Sequence, residues 1–144
     1  MPRQSLLTRQ VLPVPPGAAI PPYHVPWCFG CGPENEHGLR LQARLEGDKV
    51  VADLRLAPWF VGGPGVAHGG AVAAFFDDLM GFVPVAHLAP AVTARFEIDF
   101  IRPVLLGAPL RAEAWLARRE GRKLFAEGRG RDASGELFVE ARAL

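Results

Sequence analysis

His68-Gly69-Gly70 heads an apolar run, and two acids, Asp77 and Asp78, follow nine and ten residues after His68. A glycine pair at a helix start leaves backbone N–H groups that a ligand can approach closely. A carboxylate on an otherwise hydrophobic helix is costly to bury unless something satisfies it. An amide dipole that polarises a carbonyl, with a base nearby, makes an acyl-transfer or hydrolysis site. Asp77 is the candidate base, because Phe75, Phe76, Leu79 and Met80 flank it and a plainly exposed face is unnatural there. Asp78 reads as a surface or capping charge.

The spacing adds a constraint. At about 100° and 1.5 Å per residue, His68 and Asp77 fall on roughly opposite faces of one helix and about 13 Å apart along its axis. One copy cannot hold both against the same carbonyl. Two antiparallel copies can, with the start of one facing the middle of the other, so a catalytic role for both groups predicts a homodimer with composite sites.

The elements that must position these residues follow from hydrophobic periodicity. Residues 1–27 form a proline-rich arm (Pro13, Pro15, Pro16, Pro21, Pro22, Pro26), either loose or laid over the surface of the domain that spans 28–144. Residues 27–38 are turn chemistry. Apolar residues then alternate with polar ones through 39–45 and 50–56, predicting a hairpin about Glu46-Gly47-Asp48. A Gly/Pro loop covers 57–67, and a helix runs from about 68 to 83, stopped by Pro84. Alternation returns at 94–100, 110–116 and 137–141, and Gly121 turns into a further strand at about 122–131. One long apolar helix and a mostly antiparallel sheet predict an α+β fold in which the sheet curls round the helix.

Composition narrows the classes. The 144 residues suit one domain, and 49% hydrophobic with 22% charged residues is ordinary for a globular protein. A net charge of +1 signals no polyanion, so no nucleic-acid partner is expected. No apolar run approaches a membrane span and the start lacks the order of a secretory signal, so a cytoplasmic protein without membrane contact is expected. Cys28 and Cys31 are spaced C-x-x-C with His24 and His37 nearby, so a mixed Cys2His2 site is conceivable, but the spacing fits no common finger and the βαβ context of a redox pair is missing. The pair reads as a tight turn with packed thiols, and neither a metal nor a cofactor is expected. No nucleophile elbow is present: the serines are Ser5 and Ser134, both in poor contexts. P-loop and dinucleotide fingerprints are absent too.

The loop Gly63-Pro64-Gly65-x-x-His68-Gly69-Gly70, the acid at Asp77, and Thr93-x-x-Phe96-x-x-x-Phe100-x-Arg102-Pro103 resemble the hotdog-fold acyl-CoA thioesterases, specifically the phenylacetate-pathway-type branch. The segment Cys28-Phe29-Gly30-Cys31-Gly32-Pro33-Glu34-Asn35 leading into Gly38-Leu39 looks like a front end of many members, and the resemblance covers roughly 28–143. It implies a hotdog fold, hydrolysis of an acyl-CoA thioester to free acid and CoA, and self-association as a homodimer or dimer of dimers (a homotetramer). It also implies roles. Asp77 is general base or nucleophile, the Gly69 N–H polarises the carbonyl, His68 borders it and shapes the turn, and Thr93 orients the water or Asp77. Gly70, Gly62 and Arg102 are expected substrate contacts, Arg102 through the CoA phosphates. Some relatives carry Asn or Gln near position 62, where this chain has Gly62. That departure keeps a non-catalytic acyl or CoA-ester binder in view, with a hydroxyacyl-thioester dehydratase ranked below it.

Overall fold

A computed structural model describes residues 13–144. The first twelve residues of the proline-rich arm lie outside the described residues. The rest of the arm contributes a short strand, β1 (Ala19–Ile20), paired antiparallel with β2 (Ala43–Glu46). Ile20 is buried in the core.

The order continues with β3 (Lys49–Leu54), a small hairpin of β4 (Val61–Gly63) and β5 (Val66–Ala67), helix α1 (Gly69–Ala86), β6 (Phe96–Phe100), β7 (Leu110–Glu120), β8 (Lys123–Asp132) and β9 (Leu137–Ala143). Seven strands form one antiparallel sheet in the order β1-β2-β3-β7-β8-β9-β6. α1 packs across β3, β7 and β8.

Size complementarity explains the packing. The helix contributes Phe75, Phe76, Leu79 and Phe82, all essentially inaccessible, while the strands beneath it offer Ala52, Ala112, Ala114 and Ala126. Small residues on the sheet let the helix sit close, and each buried aromatic contributes about 1.5–3 kcal/mol. Gly130 on β8 goes further: a Cβ there would lie 2.4 Å from the buried Phe138 ring. That ring makes an edge-on contact with Phe76, centroids 6.2 Å apart.

Several expectations needed correction. Residues 39–42 are not strand despite their alternation. The Leu39 and Leu41 amides bond to Phe29 and Gly30 carbonyls, and Arg40 takes a positive φ of 51°. Pro84 does not stop α1, which runs two residues further. The helix is ended by Leu88 at φ 55°, the left-handed turn usually given to glycine. A membrane-length apolar run was not expected, yet the 18 residues of α1 reach a mean hydropathy of 1.3, enough by length and composition to cross a bilayer. Most of the helix is buried, as befits a core helix.

Candidate active site

The helix start is built by His68. Its backbone is the N-cap in extended conformation, and its Nδ1 accepts from the Gly70 N–H at 2.9 Å. Its carbonyl accepts from Ala71 and Val72. Gly70, expected as a substrate contact, therefore has its amide occupied by His68. Gly69 is the first-turn residue whose N–H finds no acceptor among the described residues. It is exposed, and the ring of exposed Phe100 lies over it, 3.5 Å from where a Cβ would stand. A free amide at a helix N-terminus suits a developing oxyanion.

Gly62 has a packing role at this point. A Cβ there would lie 2.7 Å from His68 Cα, so only glycine lets the β4–β5 hairpin close against the cap.

Asp77 is exposed, contrary to the apolar enclosure expected of it, and Asp78 is buried, contrary to the surface role expected of it. The reason is helical phase. Gly69, Gly70, Ala73, Ala74, Asp77 and Gly81 form the accessible stripe of α1, and one residue further round Asp78 meets the 24–32 segment. Because His68 caps the helix without joining it, the relevant offset is Gly69 to Asp77, about 12 Å along the axis and about 80° round it. The axial distance still keeps the two apart within one chain.

Thr93 donates from Oγ1 to Asp77 Oδ1 at 2.9 Å. Both open onto a groove that Ala73, Ala74, Arg95 and Phe96 also line. A second, apolar groove shares Thr93 with it and is walled by Met80, Val83, Val92 and Leu124. Sequence reasoning assigned no site role to Arg95, just before β6, or to Phe100, at its end; they join the site only once that strand lies along the helix. Arg102 turns its guanidinium to Glu136 at 2.7 Å and to the Leu137 carbonyl at 3.2 Å, pinning the β8–β9 hairpin. Arg129 is held by Glu113 and Arg131 by the Gly135 carbonyl.

The cysteine turn has a neighbour in Asp78 that spacing did not reveal. His37 goes to Trp59, but His24 and Asp78 converge on Cys28 and Cys31. His24 Nδ1 lies 3.2 Å from Asp78 Oδ1 and 3.3 Å from Cys31 Sγ. Hydrogen bonding to Asp78, then to Cys31, raises the His24 pKa from 6.5 to about 10. Burial pushes the Cys31 thiol up.

One apolar helix held in a curled antiparallel sheet, with a capped glycine start and an acid on its open stripe, is the hotdog architecture. The sequence model of the thioesterase superfamily matches residues 64–139, and the chain belongs to that family. Among curated proteins, acyl-coenzyme A thioesterase THEM4 of Xenopus laevis is 30% identical over 97 residues, 67% of this chain and 44% of that protein. Bovine THEM4 is 35% identical over 97 residues, 67% of this chain and 40% of that protein. The chain thus spans less than half the length of these relatives. Among solved structures, a thioesterase superfamily protein superposes with a TM-score of 0.77 at 27% identity, covering 81% of this chain and 58% of that one. The PaaI protein from the phenylacetic acid degradation operon of E. coli shares the fold at a TM-score of 0.63 and 19% identity, covering 67% and 73%.

Proposed function

We propose that the chain hydrolyses acyl-CoA thioesters as a homodimer or dimer of dimers, with Asp77 as general base or nucleophile. The observation that carries this reading is the Thr93–Asp77 hydrogen bond on an open groove along the helix whose first amide is free. In the base form of the reaction, Asp77 takes a proton from water as the water oxygen bonds to the thioester carbon. The carbonyl oxygen becomes an oxyanion held by a Gly69 N–H. The C–S bond then breaks, and the CoA thiolate takes the proton that Asp77 holds, which frees the acid and restores the Asp77 carboxylate. Thr93 fixes the carboxylate so that its other oxygen faces the water. The apolar groove beside Thr93 suits the acyl chain, and Arg95 at the rim suits a phosphate.

The need for a second copy follows from the 12 Å axial offset and has support at the sheet edge. β6 ends the sheet beside the open stripe of α1, and Val92, Phe100, Ile101 and Leu105 are 47–72% exposed around it. Pairing β6 with a second β6 would cover this apolar surface and bring one Gly69 toward the other subunit's acid.

Turnover of an acyl-CoA panel by wild type and Asp77→Asn tests the reading, with light scattering reporting the mass in solution. Turnover in the wild type that drops by at least about a hundredfold in the variant supports it. Equal turnover in both removes Asp77 from the chemistry. A second reading, a non-catalytic CoA-ester binder, is favoured by Gly62, which leaves no side-chain amide at the helix start. Tight binding of acyl-CoA without release of free CoA across the panel would establish it.

A further inference from the structure

The segment before the first long strand meets α1 on the side away from the groove. Cys28 and Cys31 sit on one tight turn, in which the Gly32 N–H donates to the Cys28 carbonyl at 3.0 Å. The turn is pressed onto the helix: a Cβ on Gly30 would lie 2.3 Å from Asp78 Cγ, and one on Gly32 would lie 2.3 Å from the Cys28 amide nitrogen. Only glycines permit both approaches, and their effect is to bring two thiols up to a buried carboxylate.

Four ligand atoms meet there. One each from His24, Cys28, Cys31 and Asp78, they all lie within 4.8 Å of one another. A tetrahedral zinc centre, with Zn–S about 2.3 Å and Zn–N about 2.0 Å, has ligand–ligand edges of about 3.3–3.8 Å. The His24 to Cys31 and His24 to Asp78 distances, 3.3 and 3.2 Å, are already of that size. The second observation is Asp78 itself. The residue is 9% exposed, and its Oδ2 is fully buried with no hydrogen-bond partner among the described residues. An ion pair with His24 uses Oδ1, His24 also reaches the Cys31 thiol, and Oδ2 is left without a donor. A buried acceptor without a donor is rare and calls for an explanation such as a bound ion.

We propose that His24, Cys28, Cys31 and Asp78 form a closed structural zinc site that clamps the 24–31 segment to α1, one residue from Asp77. The donor set decides the ion: two thiolates with an imidazole select zinc over calcium or magnesium, which take oxygen ligands. Binding releases the protons of both thiols and the extra proton of His24, which ligates as the neutral imidazole. Four protein ligands leave no position for water, so the site holds the fold and takes no part in hydrolysis. Three of the four ligands lie before residue 64, outside the stretch matched by the family model.

The test uses the full chain without a histidine tag, purified under reducing conditions and dialysed against zinc. Metal analysis should give one zinc per chain, and a chelator should lower the melting temperature. Cobalt in place of zinc should give a thiolate-to-cobalt charge-transfer band and the visible bands of a tetrahedral centre, a readout that needs no variant. In Cys28→Ser/Cys31→Ser and in Asp78→Asn, zinc affinity should fall by more than the roughly 10–100-fold cost of losing a merely supporting group. Less than a tenth of an equivalent of zinc together with no cobalt–thiolate band overturns the proposal. So does a Cys28–Cys31 disulfide in metal-free, fully folded protein, or full zinc content in the double serine variant.

Discussion

Asp77 and Asp78 are joined by one peptide bond and face opposite surroundings: Asp77 lies open to a groove and accepts from Thr93, while Asp78 is buried against His24 and the cysteine turn. A helix turns about 100° per residue, enough to send adjacent carboxylates to two different sides of the domain. In the proposed reading the first serves the chemistry and the second holds the amino-terminal segment.

The Thr93 hydroxyl is the one side-chain donor that Asp77 has among the described residues. Thr93→Val keeps the shape and removes the donor. Acyl-CoA turnover should fall about tenfold, close to 1.4 kcal/mol in the barrier, with little change in KM. Thr93→Ser, which restores the donor, should recover most of the rate in the same steady-state assay. A Val variant at wild-type kcat would show that the bond orients nothing.

Gly130 lies against Phe138 more closely than any side chain allows. Gly130→Ala should cost about 1–3 kcal/mol by overpacking, read as a lower denaturant midpoint at unchanged slope. Trimming the ring with Phe138→Leu in the same chain should recover part of that loss, so the two changes should be non-additive.

On the sheet face away from α1, Glu113 accepts from Arg129 at 2.7 Å and Lys49 at 3.3 Å, and both cations lie over the Trp115 ring. Burial alone would raise the Glu113 pKa, but the two hydrogen-bonded cations outweigh it and hold the carboxyl below its ordinary 4.5. A carboxyl depressed in the folded state adds stability above its unfolded pKa and loses it as pH falls through the folded one. Glu113→Gln should therefore cost on the order of 1 kcal/mol near neutrality. The gap to wild type should close as the pH drops below 4.5, followed by urea unfolding across that range.

Much of this arrangement is legible in the chain. Alternation at 50–54, 96–100, 110–116 and 137–141 marks strands that the sheet contains, and the apolar run after His68 marks α1. Alternation at 39–42 misleads because it records burial, and Leu39 and Leu41 are inward-facing residues bonded to a turn instead of a neighbouring strand. Pro84 misleads because proline bars only the bond from its own amide to the Met80 carbonyl, and α1 continues for just two residues beyond it. The exchange of roles between Asp77 and Asp78 is not local information. It depends on Gly30 and Cys31, more than forty residues upstream, arriving against one side of the helix.

The two-residue strand β1 is followed at once by Pro21 and Pro22, which have no N–H to offer. That margin of the sheet is blunted, and β6 on the opposite margin is the longer rim left bare. Among the described residues, β6 is then the margin of the seven-stranded sheet better suited to joining a neighbour by a backbone ladder. If two copies join there, as proposed, each covers the other's bare rim, and strand addition beyond the pair would have to start from the blunted β1 margin.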